Sequence, residues 1–522
     1  MSEKHIQPVF ILSDASTRTQ GRSAQRNNIL AAKVVAETVR TTLGPKGMDK
    51  MLVDAQGHVT ISNDGVTILE EMDIDHPAAK MIVEIARTQE NEIGDGTTTA
   101  VILAGELLKN AEQLLDDKIH PTVIIKGYRL AHEHALQTLK TLSRTVRADD
   151  QELLEHIAST AMTGKGAESA KQHLSSLCVQ ATKHVTTADE VLIDNIKIFT
   201  LPGESSSSSE LISGLVLDKQ VVHPNMPTHV SDAKILLLNT SLELQETEMD
   251  AKISIQDPSQ IQAYLDMEEQ LMNALVQRIV KTQATVVICQ KGIDDLAAYK
   301  LAKHGILAVR RVKKSDIEKL AKATGAHVLT DTKDVTADAL GSAGRVVQKR
   351  VGEEMAVFVT ECAKAQAVTL LLRGATTHVL DEVERAVTDA LGDLRAVLLT
   401  KSIVAGAGSV EVLVAQALSE FAKTLSGREQ LAVQAFADAL LVIPRTLAEN
   451  AGLDPIDVLA DLASSQHTWP GVDVYTGNVV DAWDARVVEP TRIKTQALSS
   501  ATEVACMILR IDDVITAHEK AN

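Results

Sequence analysis

Aromatic side chains are scarce in this chain of 522 residues, where Phe, Trp and Tyr together make up 2% of the sequence. Ala, Val and Leu fill the apolar positions instead. Such a composition favours helices that pack through small aliphatic side chains, and it offers few rings on which a base or a sugar could stack. Any nucleotide bound by this protein must therefore be held mainly through its phosphates.

Cysteine is also rare, and its spacing is uninformative for metals. Cys178, Cys289, Cys362 and Cys506 are far apart and form no CxxC pair. Structural zinc sites and disulfide frameworks need closer or repeated spacing. The sequence therefore predicts four free, buried thiols in a reducing compartment.

Long apolar runs and an excess of positive charge are missing as well. No stretch approaches the roughly 20 uninterrupted apolar residues of a membrane span, and the first ten residues lack the apolar core of a signal peptide. The formal net charge is −18, whereas phosphate backbones are bound by strongly basic surfaces. We therefore expect a cytoplasmic protein whose partners include neither nucleic acid nor a membrane.

The chain is long enough for about three domains, and its pattern changes twice. Helical periodicity dominates the first third and returns from about residue 411. The centre instead alternates short aliphatic strands with helices at 294–304 and 315–324, which is typical of an α/β domain with a partly parallel sheet. The strands are "AKILLLN" (233–239), "ATVVICQ" (284–290), "GILAVRR" (305–311) and "GAHVLTD" (325–331). We predict a multidomain α and α/β fold in which both termini build one helical domain.

Three local segments complete this outline. Residues 50–62 have the pattern of a hairpin that ends at Asn63-Asp64-Gly65. A long helical pattern at 249–280 is too large for an ordinary connection and is expected to project from the central domain. The serine run "GESSSSSE" (203–210) predicts an exposed, flexible loop.

The segment "EIGDGTTTAVILAGELL" (92–108) carries the strongest chemical signal. Gly94 and Gly96 let the backbone turn sharply before a helix, whose free N–H groups and threonine hydroxyls at 97–99 can donate to phosphate. Asp95 would repel phosphate unless Mg²⁺ lay between them. The alternative is a plain helix cap in which Asp95 or Thr97 satisfies the first amides, and the motif leaves both interpretations open.

Other candidates are weaker. No GxxxxGK[ST] motif occurs, although Lys165 in "TGKG" (163–166) could reach a γ-phosphate or could equally be a surface lysine. Asp64 and Asp389 could orient water for phosphoanhydride hydrolysis, but a turn aspartate and a solvated helix face explain them equally well. The glycine-rich "IVAGAGSVEV" (403–412) could approach an adenosine or could simply be a packing turn.

Taken together, several long motifs closely resemble group II chaperonins, and within that family they resemble archaeal thermosome subunits, relatives of the eukaryotic cytosolic chaperonin. The motifs are "VRTTLGPKGMDKMLVD", "ISNDGVTILEEMDIDHPAAKMIVEIA", "GDGTTTAVILAGELL", "CQKGIDDLAAYKLAKHGILAVRRVKKSDIEKLAKATGA", "ENAGLDPIDVLADL" and "ACMILRIDDVI". The resemblance implies an equatorial ATP-binding domain (1–148 and 403–522), an intermediate hinge domain (149–216 and 370–402) and an apical domain (217–369). The insertion at 249–280 matches the family's lid protrusion.

The resemblance also implies roles for individual residues. Asp64 and Asp389 match the hydrolytic aspartates, and Asp95 matches the Mg²⁺ ligand. The implied contacts to ATP are Gly44, Pro45, Gly94, Gly96, Thr97, Thr98, Thr99, Thr163, Gly164, Lys165, Gly408, Glu489 and Lys494, with Lys494 the weakest candidate.

Two positions depart from the family pattern. Ala407 stands in a segment that usually has three glycines, and Arg486 stands where a glycine is usual. The first change is modest, whereas the second puts the local loop shape near Glu489 in question.

The function implied by the resemblance is an ATP-dependent chaperone. Its subunits, identical or paralogous, would form a double ring that binds unfolded polypeptide and encloses it under a built-in lid, driven by Mg²⁺ and ATP. One alternative is a small-molecule kinase or ligase, which needs a second polar pocket that the sequence does not suggest. Another is a scaffold or holdase that binds nucleotide without productive hydrolysis.

Overall fold

A computed structural model describes residues 16–187, 190–243, 258–352, 354–362 and 366–517. Up to residue 238 the elements are β1 (Ser16–Gln20), α1 (Arg22–Arg40), β2 (Lys50–Val53), β3 (Val59–Ser62), α2 (Gly65–Glu71), α3 (Pro77–Glu92), α4 (Thr97–Asp116), α5 (Pro121–Leu142), β4 (Arg144–Thr145), α6 (Gln151–Met162), α7 (Lys171–Val185), β5 (Ile196–Pro202), β6 (Glu210–Ile212), β7 (Leu215–Leu217) and β8 (His229–Leu238).

The remaining elements are α8 (Pro258–Lys281), β9 (Val286–Cys289), α9 (Asp295–Lys303), β10 (Leu307–Val309), α10 (Lys314–Thr324), β11 (Val328–Leu329), β12 (Gly341–Val351), β13 (Glu354–Thr360), β14 (Val368–Gly374), α11 (Thr377–Thr400), β15 (Ser402–Ala405), α12 (Ser409–Thr424), α13 (Glu429–Leu440), α14 (Val442–Asn450), α15 (Pro455–Ser464), β16 (Pro470–Val472), β17 (Val479–Asp481), β18 (Val488–Pro490), α16 (Thr491–Leu509) and β19 (Asp513–Ala517).

The chain forms two compact units. The first combines residues 1–165 with 388–522, and the second comprises residues 166–387. The predicted pairing of the two ends of the chain in one unit is therefore confirmed. The finer division into equatorial, intermediate and apical domains stays a prediction.

The first unit is built around α4, whose side chains are buried along most of its length. Helices α1, α3, α13 and α16 pack against it, with alanines and aliphatic residues at the contacts. Local signals fix the ends of these helices: Pro77 opens α3 and Pro121 opens α5, each capped by the preceding histidine. The predicted helix that follows Gly96 is confirmed.

In α1, Leu30 and Val34 are more than half exposed, while Val35 and Val39 carry the buried face. One prediction for this unit was partly wrong. The chain beyond 411 is not helical throughout, because residues 513–517 form β19 and pair antiparallel with β1. This pairing joins residues almost 500 positions apart, which a local pattern cannot reveal.

The second unit contains a seven-stranded sheet in the order β10-β9-β8-β12-β13-β7, with β11 also paired to β8. Strands β10, β9, β8 and β11 run parallel, which confirms the α/β prediction. Strands β12 and β13 form a long antiparallel pair that extends the sheet. Their alternating, half-exposed pattern was not recognised in the sequence.

A separate three-stranded sheet, β5-β14-β6, lies in the same unit. The serine run before β6 is exposed at most of its positions, as predicted, but Ser206 and Ser209 are buried. The Ser209 hydroxyl accepts the backbone N–H of Arg373 at 3.0 Å, which ties this segment to β14. The insertion at 249–280 was predicted to be helical, and the described part of it forms helix α8 (Pro258–Lys281). Residues 249–257 lie outside the described part.

All four cysteines are free and buried within the described residues, as predicted. One segment, Glu429–Asn450, is long and apolar enough to cross a membrane by composition, but 72% of its most apolar window is buried inside the protein. It is divided between α13 and α14, whose side chains contribute to the core of the first unit. Its apolar character is thus explained by core packing.

Candidate functional site

The start of α4 is an open helix end. Gly94 and Gly96 have φ values of 105° and 82°, a region that residues with a Cβ rarely adopt. A Cβ on Gly96 would also lie 2.6 Å from Cγ2 of Ile493. Gly96 is the N-cap residue, and within the described part no side chain caps the helix. The alternative in which Asp95 or Thr97 merely caps α4 is therefore not what the structure shows.

A lysine and two aspartates converge beside this helix end. The Lys165 ammonium donates to Oδ2 of Asp389 and lies 3.4 Å from Oδ1 of Asp95. The Lys165 side chain is 19% exposed and that of Asp389 is 9% exposed, whereas the Asp95 side chain is 29% exposed. Neither Lys165 nor Asp389 lies on a solvated surface, so the simpler interpretations of both residues were wrong.

Asp64 joins the same cluster from α2. It is the N-cap of that helix, and its Oδ2 accepts from the backbone N–H and the hydroxyl of Thr67 at 2.9 and 2.8 Å. The Thr97 hydroxyl donates to its other oxygen at 3.2 Å. Gly65 packs closely on the first turn of α4, since a Cβ there would lie 2.8 Å from the Thr98 hydroxyl. Asp64 therefore caps one helix and faces the start of another.

The "TGKG" segment lies against the "LGPKG" segment. Gly164 has a φ of 80°, and a Cβ there would lie 2.8 Å from both the Gly44 carbonyl oxygen and Cα of Pro45. The Asn63 side chain donates to the Gly164 carbonyl at 2.7 Å. The Thr163 hydroxyl donates to the Ser159 carbonyl. Two backbone turns that are far apart in the chain thus meet at Gly164, the residue before Lys165.

Burial dominates the electrostatics of this cluster. It raises the pKa of Asp389 to about 7, although the Lys165 ammonium opposes the shift. Burial alone would lower the Lys165 pKa, but the charges of Asp389 and Asp95 outweigh it and hold that pKa above its ordinary value. The lysine therefore stays charged, and the proton affinity of Asp389 suits a base near neutral pH.

Two further carboxyl groups were missed by the sequence analysis. Burial, followed by the charges of Asp389 and Asp64, raises the pKa of Glu90 to about 8. Asp393 is 1% exposed and its Oδ1 has no partner within the described residues; burial and the charge of Asp95 hold its pKa well above the usual range. Asp393 follows Asp389 by one helical turn, the only sequence signal that could have suggested it.

A second lysine cluster lies at the start of α12. The Lys494 ammonium pairs with Oε1 of Glu411 at 2.9 Å and Oε2 of Glu489 at 2.7 Å. Gly408 is the N-cap of α12 in the left-handed region, and a Cβ on Gly406 would lie 2.5 Å from Oε1 of Glu489. Gly408, Glu489 and Lys494, all predicted as contacts to ATP, are thus adjacent. Ile493, next to Lys494, connects this cluster to Gly96.

Both departures from the family pattern have a left-handed backbone. Ala407 has a φ of 55° and Arg486 a φ of 61°. An L-residue in this region carries a steric cost that glycine avoids. The loop is held by a hydrogen bond from the backbone N–H of Val487 to the Ala482 carbonyl at 3.0 Å, and the Arg486 side chain lies 3.3 Å from Glu152.

The carboxylates do not by themselves form a metal site. Within the described residues no group of three His, Cys, Asp or Glu side chains could hold a metal ion. Mg²⁺ commonly uses only one or two protein carboxylates, with water and substrate phosphates completing its octahedron. Asp95 fits that mode of binding. It is the more exposed of the two aspartates that contact Lys165, and it lies beside the uncapped end of α4.

An open helix end framed by glycine turns, with a lysine and several carboxylates converging on it, is an arrangement that could bind phosphate groups. In sequence comparison, the TCP-1/cpn60 chaperonin family matches residues 35–519. Thermosome subunit beta of Archaeoglobus fulgidus is 57% identical over 98% of this chain and 95% of its own. Thermosome subunit beta of Methanothermobacter thermautotrophicus is 55% identical, over 99% of this chain and 96% of its own length. The thermosome subunit of Pyrococcus abyssi is 54% identical, also over 99% of this chain and 96% of its own length.

The chain belongs to the TCP-1/cpn60 chaperonin family and is a group II chaperonin subunit. It is therefore an ATP-dependent molecular chaperone of the double-ring type, and its enzymatic activity is ATP hydrolysis coupled to protein folding. The predicted fold class is confirmed by the family and by the helical and α/β units.

Proposed function

We propose that the cluster at the start of α4 binds Mg²⁺ and ATP, with the phosphates over the amides and hydroxyls of residues 97–99. The observation that carries this proposal is the Lys165 ammonium, bound to Asp389 and close to Asp95 beside an uncapped helix end. A buried ammonium between carboxylates can be drawn to a more negative triphosphate. Gly44, Pro45, Gly94, Gly96, Thr163 and Gly164 shape the backbone around the phosphates.

Asp95 is proposed as the protein ligand of the cation. When bound, Mg²⁺ would neutralise phosphate charge and polarise the γ-phosphoryl oxygens. Gly408 and Glu489 would contact the adenosine, and Lys494 would act behind Glu489, since Lys494 is 7% exposed and already holds two carboxylates. The Arg486 side chain pairs with Glu152, whereas Glu489 pairs with Lys494.

Asp64 and Asp389 are proposed to orient the attacking water. The water oxygen bonds to the γ-phosphorus, the bond to the β,γ-bridging oxygen breaks, and the proton of the water passes to the Asp389 carboxylate. A pKa of about 7 lets this group both accept that proton and release it to solvent. Lys165 stabilises the charge on the γ-phosphoryl group.

We also propose the cellular setting. Identical or paralogous subunits assemble into rings, as the alpha and beta names of the relatives suggest, and the rings enclose unfolded polypeptide in the cytoplasm. The first unit corresponds to the equatorial domain, and the second contains the apical domain and most of the intermediate domain. Non-native clients expose apolar surface, which an apical face with apolar side chains can bind.

The test is nucleotide binding by the assembled protein, measured by calorimetry with and without Mg²⁺. Asp95→Asn should remove most of the gain in ATP affinity that Mg²⁺ provides, and it should leave metal-free binding unchanged or slightly stronger, because a charge facing phosphate is lost. Asp461→Asn, which changes an exposed aspartate of α15, is the matched control. An undiminished Mg²⁺ effect in Asp95→Asn would refute the assignment.

A further inference from the structure

One face of α10 makes three polar contacts with three consecutive residues, Asn195 just before β5 and the first two residues of that strand. Asp316 accepts from the Lys197 ammonium at 2.8 Å. Lys319 donates to the Ile196 carbonyl at 3.1 Å, and Lys322 donates to Oδ1 of Asn195 at 2.8 Å. Residues 316, 319 and 322 recur at helical spacing, so the contacts form a single row.

Two charges of the row, those of Lys197 and Asp316, are largely removed from water, whereas Lys322 at the end of the row is exposed. The Lys197 and Asp316 side chains are 13% and 6% exposed, and Asn195 is 2% exposed with its Nδ2 unpartnered in the described part. Burial lowers the pKa of Lys319. Desolvated pairs of this kind add little net stability over an apolar contact of the same shape, although breaking one partner is costly.

The two sheets of this unit are joined differently elsewhere. Leu201, about 13 Å beyond Lys197 along β5, belongs to an apolar cluster with Leu371 of β14, Val216 of β7 and Phe358 of β13. The buried Thr369 hydroxyl adds a bond to the Gly214 carbonyl at 3.0 Å. Separating this cluster would expose apolar surface, whereas the polar row can exchange its contacts for water.

We propose that the row on α10 and β5 is a clasp that opens during the ATP-driven cycle, with the apolar cluster around Leu201 as the pivot. In the closed clasp, the seven-stranded sheet and the three-stranded sheet move as one body. Release lets α10 and its sheet rotate about the cluster. Polar contacts are the usual composition of interfaces that part and re-form within a chain. The inference depends on the family's cycle and not on which residues hold the nucleotide.

Lysine acylation with quantitative mass spectrometry tests the clasp in the full assembly. Lys197 and Lys319 should be protected without nucleotide and labelled severalfold more with ATP and aluminium fluoride, which mimics the transferring phosphoryl group. Lys333, exposed in the same unit, should label fully in both states, and buried Lys494 of the other unit should label in neither. Equal protection of Lys197 and Lys319 in both states, in particles shown by imaging to have closed, would overturn the proposal.

Two variants sharpen the result. Asp316→Asn removes the carboxylate partner of Lys197, so Lys197 should be labelled severalfold more even without nucleotide. The double variant Lys197→Met with Asp316→Leu replaces the ion pair by an apolar contact that resists opening. Lys319 should then stay protected with ATP and aluminium fluoride, while ATP binding is retained. Labelling of Lys319 at the unmodified level in this double variant would also contradict the clasp.

Discussion

Two lysines in the first unit each bridge two carboxylates, yet their surroundings differ. Lys494 lies between Glu411 and Glu489, and the side chains of Lys494 and Glu411 are no more than 8% exposed. Lys165 lies between Asp389 and Asp95, and the Asp95 side chain is 29% exposed at an uncapped helix end. The first cluster is enclosed by packed helices, whereas the second opens toward solvent. The difference separates a cluster whose lysine is fixed between its two carboxylates from one whose lysine can exchange a carboxylate for a ligand.

The largest effect is expected from Asp389→Asn. The amide keeps the size of the side chain but cannot accept a proton, so hydrolysis should fall about 10³-fold, while ATP affinity changes little. Single-turnover hydrolysis and calorimetric binding on the same assembly separate the two quantities. Turnover equal to that of the exposed-site control Asp461→Asn would remove Asp389 from the mechanism.

Lys494→Met should have the next largest effect, which is a loss of folding stability. It leaves two buried glutamates without their cation, which destabilises the unit by about 3 kcal/mol. Lys165→Met should cost less, because Asp95 can turn to water and Asp389, whose pKa burial already raises to about 7, can bind a proton instead of remaining a buried charge. Thermal unfolding of the two variants side by side gives the comparison. Equal losses of stability in the two variants would contradict the difference between the two clusters.

The dependence of hydrolysis on pH follows from Asp389. Burial holds the pKa of this carboxyl at about 7, above its ordinary value, so the folded protein binds a proton there as the pH falls. The rate should therefore be steady above pH 8 and fall about tenfold per unit below pH 7. ATP binding measured over the same range is the control. A rate that holds to pH 5 would require another base.

The sequence predicted the start of α4 well because its signals are local: two glycines, an aspartate and three threonines determine a turn and a helix end. The partners of that end could not be predicted from spacing. Lys165 and Asp389 lie 224 positions apart and meet only in the folded unit, and the resemblance to a family alone brought them together. Glu90 and Asp393 were missed for the same reason, since burial is decided by the packing of α3 and α11.

The smallest effects are expected at the two left-handed residues. Ala407→Gly and Arg486→Gly should each raise stability by about 1 kcal/mol, because glycine adopts a positive φ without a steric clash. For Arg486 the loss of the exposed contact to Glu152 subtracts little. Ala417→Gly, inside α12, should instead lower stability by about 1 kcal/mol, because glycine is unfavourable in the interior of a helix. Thermal unfolding measures these changes in stability. A change of the same sign in all three variants would contradict this account of the loop.

The most direct test of the central claim is a cryo-EM map of the assembled protein with Mg²⁺, ADP and aluminium fluoride. The account predicts a metal about 2.1 Å from a carboxylate oxygen of Asp95, with the β-phosphate against the first turn of α4 and Lys165 turned from Asp389 to the fluoride. A map with the nucleotide elsewhere, or with Lys165 still bound to Asp389 and that helix end covered by side chains, would contradict it.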